Sequence, residues 1–393
     1  MPLFPYFSFN DKSSVLLIFF FNAVVFSILL FKKAYQEQRK DSNWLGFFIL
    51  LCGLYICPFM LGYAGWYSIK SYREFMFFVP FQQVFLLGPV IYFYTRSLLN
   101  PDFRLRRVDY LHFAPAILYG IYSLIIFVTD KLVLDEFYFY ADGRDKDLAF
   151  WYQMAGLISM LFYLILSLRH YQNYHKKIVQ EVSYADEVIY KWLSHFMIAF
   201  SLLLVLRMAF FVVNPEWGEF GNKYWYYLCF SILFLYIAIT GYSSTIKSSV
   251  ILTSIPIDVS TIEIEELPEE KTREEPEMIE DLDLWKAKIE TIVVKEQLYK
   301  NAQLTLSDLA RLLESNRSLI SQVINQGFQM NFNDYINSKR VDAVVLKIEK
   351  GAHEKHTLLA LAIDAGFNSK STFNRAFKKS KGMTPLQFIE KQK

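Results

Sequence analysis

The chain has 393 residues, 53% of them hydrophobic and 18% aromatic, with a formal net charge of +2. Phe and Tyr, at 37 and 26 copies, are too frequent for an ordinary water-soluble protein, so the composition points to a membrane part, and the length to two or three domains. Cys52, Cys57 and Cys229 all lie in apolar runs and offer neither a metal-ligand spacing nor a disulfide framework, which leaves them as small core residues.

Taken in order, seven apolar runs are long enough to cross a bilayer: 14–31, 44–62, 75–95, 111–129, 150–168, 192–213 and 224–241. The first is followed by Lys32-Lys33, lacks a small-residue cleavage site and has no basic cluster before it, so it reads as a retained span and not a signal peptide. Loop charge sets the orientation. Lys32, Lys33, Arg39 and Lys40 follow the first run, Arg96, Arg104, Arg106 and Arg107 the third, and Arg169, Lys176, Lys177 and Lys191 the fifth. The alternate loops are poorer in net positive charge, so the N-terminus is expected outside and the C-terminus in the cytoplasm. Trp66, Tyr67, Trp151, Trp217, Trp225 and Tyr226 suit an aromatic belt.

Few polar groups interrupt these runs. Arg207 lies well inside the sixth, where a charge must be paired, line a polar cavity or snorkel to the interface. Gln82 and Gln83 sit in the third between Pro80 and Pro89, placed either to anchor a ligand at a bend or to bond neighbouring helices. Arg207, Gln82 and Gln83 are therefore the candidate ligand-binding residues.

Residues 243–283 read as a linker. Glu263, Glu265, Glu266, Glu269, Glu270, Glu274, Glu275, Glu277 and Glu280 crowd it, and Pro256, Pro268 and Pro276 break regular structure. Residues 255–283 hold 2 Lys and Arg against 12 Asp and Glu, whereas residues 284–393 hold 18 against 10. An acidic segment beside a basic domain can compete for its basic face or act as a self-repelling spacer. A flexible stretch of about 40 residues spans on the order of 35 Å.

The terminal stretch carries the most specific pattern. Residues 304–325 give a short amphipathic helix, a turn at Ser315-Asn316 and a second helix; residues 358–379 repeat the unit. Ser307 is placed to cap the first helix, whose apolar face is Leu309, Ala310, Leu312 and Leu313. In the second unit Gly366 supplies a left-handed residue, Ser369 caps the next helix, and Phe373 and Phe377 share its buried face. This is the pattern of a helix-turn-helix, whose second helix enters the DNA major groove. Ala365-Gly-Phe367, Phe373-Asn-Arg-Ala-Phe-Lys378 and Gly382-Met-Thr-Pro385 resemble the DNA-binding domain of the AraC/XylS family of bacterial transcription regulators, with Phe332–Asn337 and Arg340-Val341 fitting its linking helix. The resemblance spans roughly residues 284–389. It implies base-reading residues at Ser318, Ser321 and Gln322 in the first unit and at Lys370, Ser371, Asn374 and Arg375 in the second. Arg317 shares the exposed face, and Lys378, Lys379 and Lys381 are placed to meet phosphate.

The expected fold is all-α: a seven-helix membrane sensor domain (1–242), an acidic cytoplasmic linker (243–283) and a DNA-binding domain of two helix-turn-helix units (284–393). The expected partners are double-stranded promoter DNA, the lipid bilayer, RNA polymerase and a second copy of the chain. No catalytic residue, metal or cofactor is expected, and the location is the bacterial inner membrane. The rival reading is a seven-helix transporter or receptor with an accessory cytoplasmic domain. The near absence of buried polar groups and broken-helix repeats disfavours a transporter, and the basic terminal domain disfavours a protein-binding one.

Overall fold

The computed structural model describes residues 6–100, 103–188, 191–213, 222–254 and 281–392. Among them every regular element is helical, and the one strand-like feature is an isolated antiparallel bridge between Val182 and Thr305. The chain divides into two compact units, Met1–Tyr171 with Lys191–Ile257, and Gln172–Tyr190 with Asp258–Lys393.

The first unit contains α1 (Asp11–Glu37), α2 (Lys40–Tyr63), α3 (Lys70–Phe78), α4 (Val84–Leu99), α5 (Ala114–Phe127), most of α6 (Phe150–Glu181), and, past α7 (Ala185–Val188) of the second unit, α8 (Lys191–Met208) and α9 (Lys223–Ser254). Among the described residues, five stretches are long and apolar enough to cross a membrane: α1, α2, Arg107–Val133 around α5, α6, and Lys223–Ser244 of α9. Two more apolar helices, Val84–Leu99 and Trp192–Met208, are shorter. The run expected as one span at 75–95 is broken into α3 and α4. Its cause is Pro80, which holds Val79 in an extended conformation (φ −94°, ψ 113°) and cannot donate to a helix ladder. Helices α4 and α6 approach closely because each presents a glycine: a Cβ on Gly88 would meet the Tyr163 ring at 2.6 Å, and one on Gly156 would meet Val84 at 2.4 Å.

The second unit holds the last ten residues of α6, α7, and then α10 (Leu282–Glu290), α11 (Leu306–Leu312), α12 (Arg317–Gly327), α13 (Phe332–Glu349), α14 (Leu358–Asp364), α15 (Lys370–Lys381) and α16 (Pro385–Gln392). Helix α13 is its spine. Phe332, Tyr335 and Ile336 at one end enter a core with Ile289, Leu309, Ile320 and Ile324, while Val341, Val344 and Ile348 at the other enter a second core with Leu361, Phe367, Phe373 and Phe377. Of the expected linker, residues 243–254 continue α9, and residues 255–280 lie outside the described residues.

Candidate nucleic-acid interface

Each helix pair is built by local chemistry. The cap of α11 is Thr305 rather than Ser307: its Oγ accepts from the Asp308 N–H (3.1 Å), and the Asp308 carboxylate accepts from the Thr305 N–H (3.2 Å). That reciprocal pair satisfies two orphan donors, which Ser307 two residues on cannot do. Leu309 and Ala310 are buried, but Leu312 is 51% exposed, so the apolar face is narrower than the sequence suggests, and Leu306 completes it. Asn316 then caps α12, accepting from the Leu319 N–H at 2.7 Å.

In the second pair, Gly366 has φ +94°, and a Cβ there would lie 2.5 Å from the Tyr299 carbonyl oxygen. Both the left-handed backbone and the close approach require glycine. Ser369 caps α15 by accepting from the Thr372 N–H at 3.2 Å. Phe373 and Phe377 are buried one turn apart, with ring centroids 5.7 Å from each other.

Burying one face of α12 and α15 fixes what the other presents. Arg317, Ser318 and Gln322 are exposed on α12 and Ser321 is half-buried; Lys370, Ser371, Asn374, Arg375, Lys378 and Lys379 are exposed on α15. Lys378, Lys379 and Lys381 occupy the last turn of α15, where cations complement the helix dipole. Four of the candidates hold carboxylates: Arg317 on Glu181 (2.7 Å), Lys379 on Asp334 (2.6 Å), Lys381 on Asp342 (2.8 Å) and Arg375 on Asp186. Guanidinium and amide groups in this arrangement suit guanine and adenine edges, and the lysines suit phosphate.

Residues 309–391 match the family model of a helix-turn-helix domain. The match supports a DNA-binding transcription regulator of the AraC type. No curated protein and no solved structure matches the chain.

Sequence reasoning missed two features of this helix-turn-helix unit. Arg340 is buried, donating to the carbonyls of Tyr299 (2.8 Å) and Asn301 (2.7 Å) and to Asn337 (3.0 Å). It ties α13 to the stretch before α11. The second is the segment 181–186, seated on this unit from the middle of the chain.

The candidate ligand residues meet a different environment. Gln82 lies in the non-helical stretch between α3 and α4 and is fully buried. Its amide nitrogen donates to the Tyr55 carbonyl (2.8 Å) and the Tyr227 hydroxyl (3.1 Å), and its oxygen accepts from Gln153 (2.7 Å). Its backbone N–H, freed by the helix break, donates to Asp147 at 3.0 Å, and its carbonyl accepts from the Tyr152 hydroxyl at 2.7 Å. Arg207, 3% exposed, donates to the backbone and side-chain oxygens of Gln153, both at 2.8 Å. Gln83 donates to the Pro80 carbonyl at 2.7 Å. The cavity beside Arg207 has a volume of about 10 Å³, at or below what one water needs. At one end of the network, Asp145 accepts from the Tyr67 hydroxyl (2.9 Å) and Asp147 from the Tyr119 hydroxyl (2.6 Å). Burial pushes both carboxyls above the usual carboxylate range, and for Asp145 the charge of Asp147 adds to the effect.

Proposed function

We propose that the chain is a membrane-embedded, sequence-specific transcription regulator that couples an external or membrane signal to promoter binding. In this reading seven helices cross the bacterial inner membrane with the N-terminus outside, residues 243–283 are a cytoplasmic linker, and residues 284–393 bind promoter DNA. Arg317, Ser318, Ser321, Gln322, Lys370, Ser371, Asn374 and Arg375 face base edges, and Lys378 and Lys379 face phosphate. RNA polymerase and a second copy of the chain complete the set of partners.

The observation that carries the reading is one chain joining a helix-turn-helix match to helices that turn large apolar side chains outward. Ile18, Phe21, Val25 and Ile28 of α1, and Ile117, Leu118, Ile121, Leu124 and Ile125 of α5, are all exposed. Such continuous apolar faces are costly in water and natural against lipid tails.

Arg207, Gln82 and Gln83 enter the proposal in a narrower form. With a cavity of only about 10 Å³ beside Arg207, a signal acts by rearranging helices around these residues rather than by filling a pocket already present. Arg207→Leu should then uncouple target transcription from the inducing condition at unchanged membrane abundance.

Two measurements test the whole. Genome-wide occupancy of the tagged protein should concentrate at discrete promoter sites. Reporter fusions after Arg39, Arg106 or Lys176 should read cytoplasm, and fusions after Ser68, Asp142 or Gly218 should read outside. A cytoplasmic reading at Asp142 would overturn both the orientation and the span number.

A further inference from the structure

We propose that residues Glu181–Asp186 are a built-in mask of the helix-turn-helix unit, occupying recognition arginines that duplex DNA must take over. The proposal rests on the DNA-binding reading and adds its regulation. The segment is seated by backbone as well as side chains. The Ser183 N–H donates to the Leu304 carbonyl (3.0 Å), next to the Val182–Thr305 bridge. From α13, Asn333 donates to the Val182 carbonyl (3.3 Å), Asn337 to the Ser183 carbonyl (3.4 Å), and Arg340 to the Ser183 carbonyl (3.2 Å) and hydroxyl (3.0 Å). Val182, Ser183 and Ala185 are buried.

On either side of this seat stands one carboxylate, and each meets an arginine of a different recognition helix: Glu181 on Arg317 of α12, and Asp186 on Arg375 of α15. One short segment thus engages both halves of the domain. A guanidinium whose donors face a carboxylate cannot present the same donors to a base edge or a phosphate, so the two partners exclude each other. Arg317 and Arg375 both keep a solvent-facing side from which DNA can compete, and the Glu181–Arg317 pair, with both partners partly exposed, is the weaker of the two; the Asp186 carboxylate is mostly buried and holds more firmly. Glu181 is also the last residue of α6, a helix unbroken from Phe150, whose apolar stretch is a candidate span.

The test uses the full chain in lipid nanodiscs and a pool of duplex DNA with a randomised core, at moderate salt. Glu181→Gln with Asp186→Asn keeps side-chain shape and removes both charges. We expect it to bind about tenfold more tightly than the wild type, since two such pairs are lost as competitors. Glu269→Gln with Glu270→Gln removes two charges from the acidic linker and should change binding less than about twofold. Hydrogen exchange at the Ser183 amide reads the seat itself: it should be slow in the free chain and become fast when DNA is bound. Equal binding by wild type and the 181/186 variant, an equal gain in the linker control, or a Ser183 amide that stays protected on DNA would each overturn the mask alone. If no variant retained DNA at any salt concentration, the DNA-binding reading would fall, and the mask with it.

Discussion

In α1 the outward positions are Ile18, Phe21, Val25 and Ile28, while the polar groups Gln82, Gln153 and Arg207 of the same unit are buried. In α15 the arrangement is inverted: Lys370, Asn374, Arg375 and Lys378 face out and Phe373 and Phe377 face in. Among the described residues, the most deeply buried arginine of each unit is held by different means. Arg207 is held by one glutamine, Gln153, and lies over the Tyr55 ring at 5.6 Å, whereas Arg340 is held largely by backbone carbonyls. On the proposed reading the contrast follows from two different surroundings: against lipid, polar groups gather inside and satisfy one another; against water, apolar side chains do so.

The largest expected break of this comparison is Phe373→Ala. It empties a core position of the second unit and should cost about 3–5 kcal/mol, visible as a lowered melting transition of that unit with the other transition unchanged. Next is Arg375→Ala, which should lower specific DNA affinity by about 1–3 kcal/mol and relax preference at one base position; selection from a randomised duplex pool checks both.

A pH series sharpens the other side. The raised carboxyls of Asp145 and Asp147 hold protons in the folded chain that the unfolded chain has already lost. Their contribution to stability is therefore greatest at low pH and declines as pH rises from about 4, the ordinary carboxylate value, toward neutrality. Asp145→Asn should flatten that decline in a detergent-solubilised melting series; an unchanged slope would show that Asp145 does not carry it. The smallest effect belongs to Lys379→Ala, which should weaken binding to all sequences alike and make the dependence of log affinity on log salt shallower by about one unit.

What was legible in the sequence was what neighbouring residues decide. Ser369 as a cap, Gly366 as a left-handed residue and Phe373 with Phe377 as a buried pair are all set within a turn or two of chain. The error at Ser307 was local too: Thr305 lies in the same polar run, and only Asp308 reaching back to its N–H distinguishes the two. The break at Pro80 was visible as a proline, but not its result. Gln82 bonds groups from Tyr55 to Tyr227, contacts that no periodicity encodes. The seat of residues 181–186 is further still from local pattern. Its partners lie more than 100 residues away, and in the sequence Glu181 and Asp186 are two ordinary acids near the end of a helix.

The seat is also small, six residues against the twenty or more a side that hold separate proteins together. Because both sides belong to one polypeptide, the contact is intramolecular and works at an effective concentration set by the chain that joins them. Its occupancy is then independent of how many copies of the protein a cell holds. A single cut between residues 255 and 280 would end that. The two sides would meet only by diffusion, at concentrations too low for so small a contact to reform. A reversible equilibrium would become a one-way event, with the DNA-binding part set free by dilution alone.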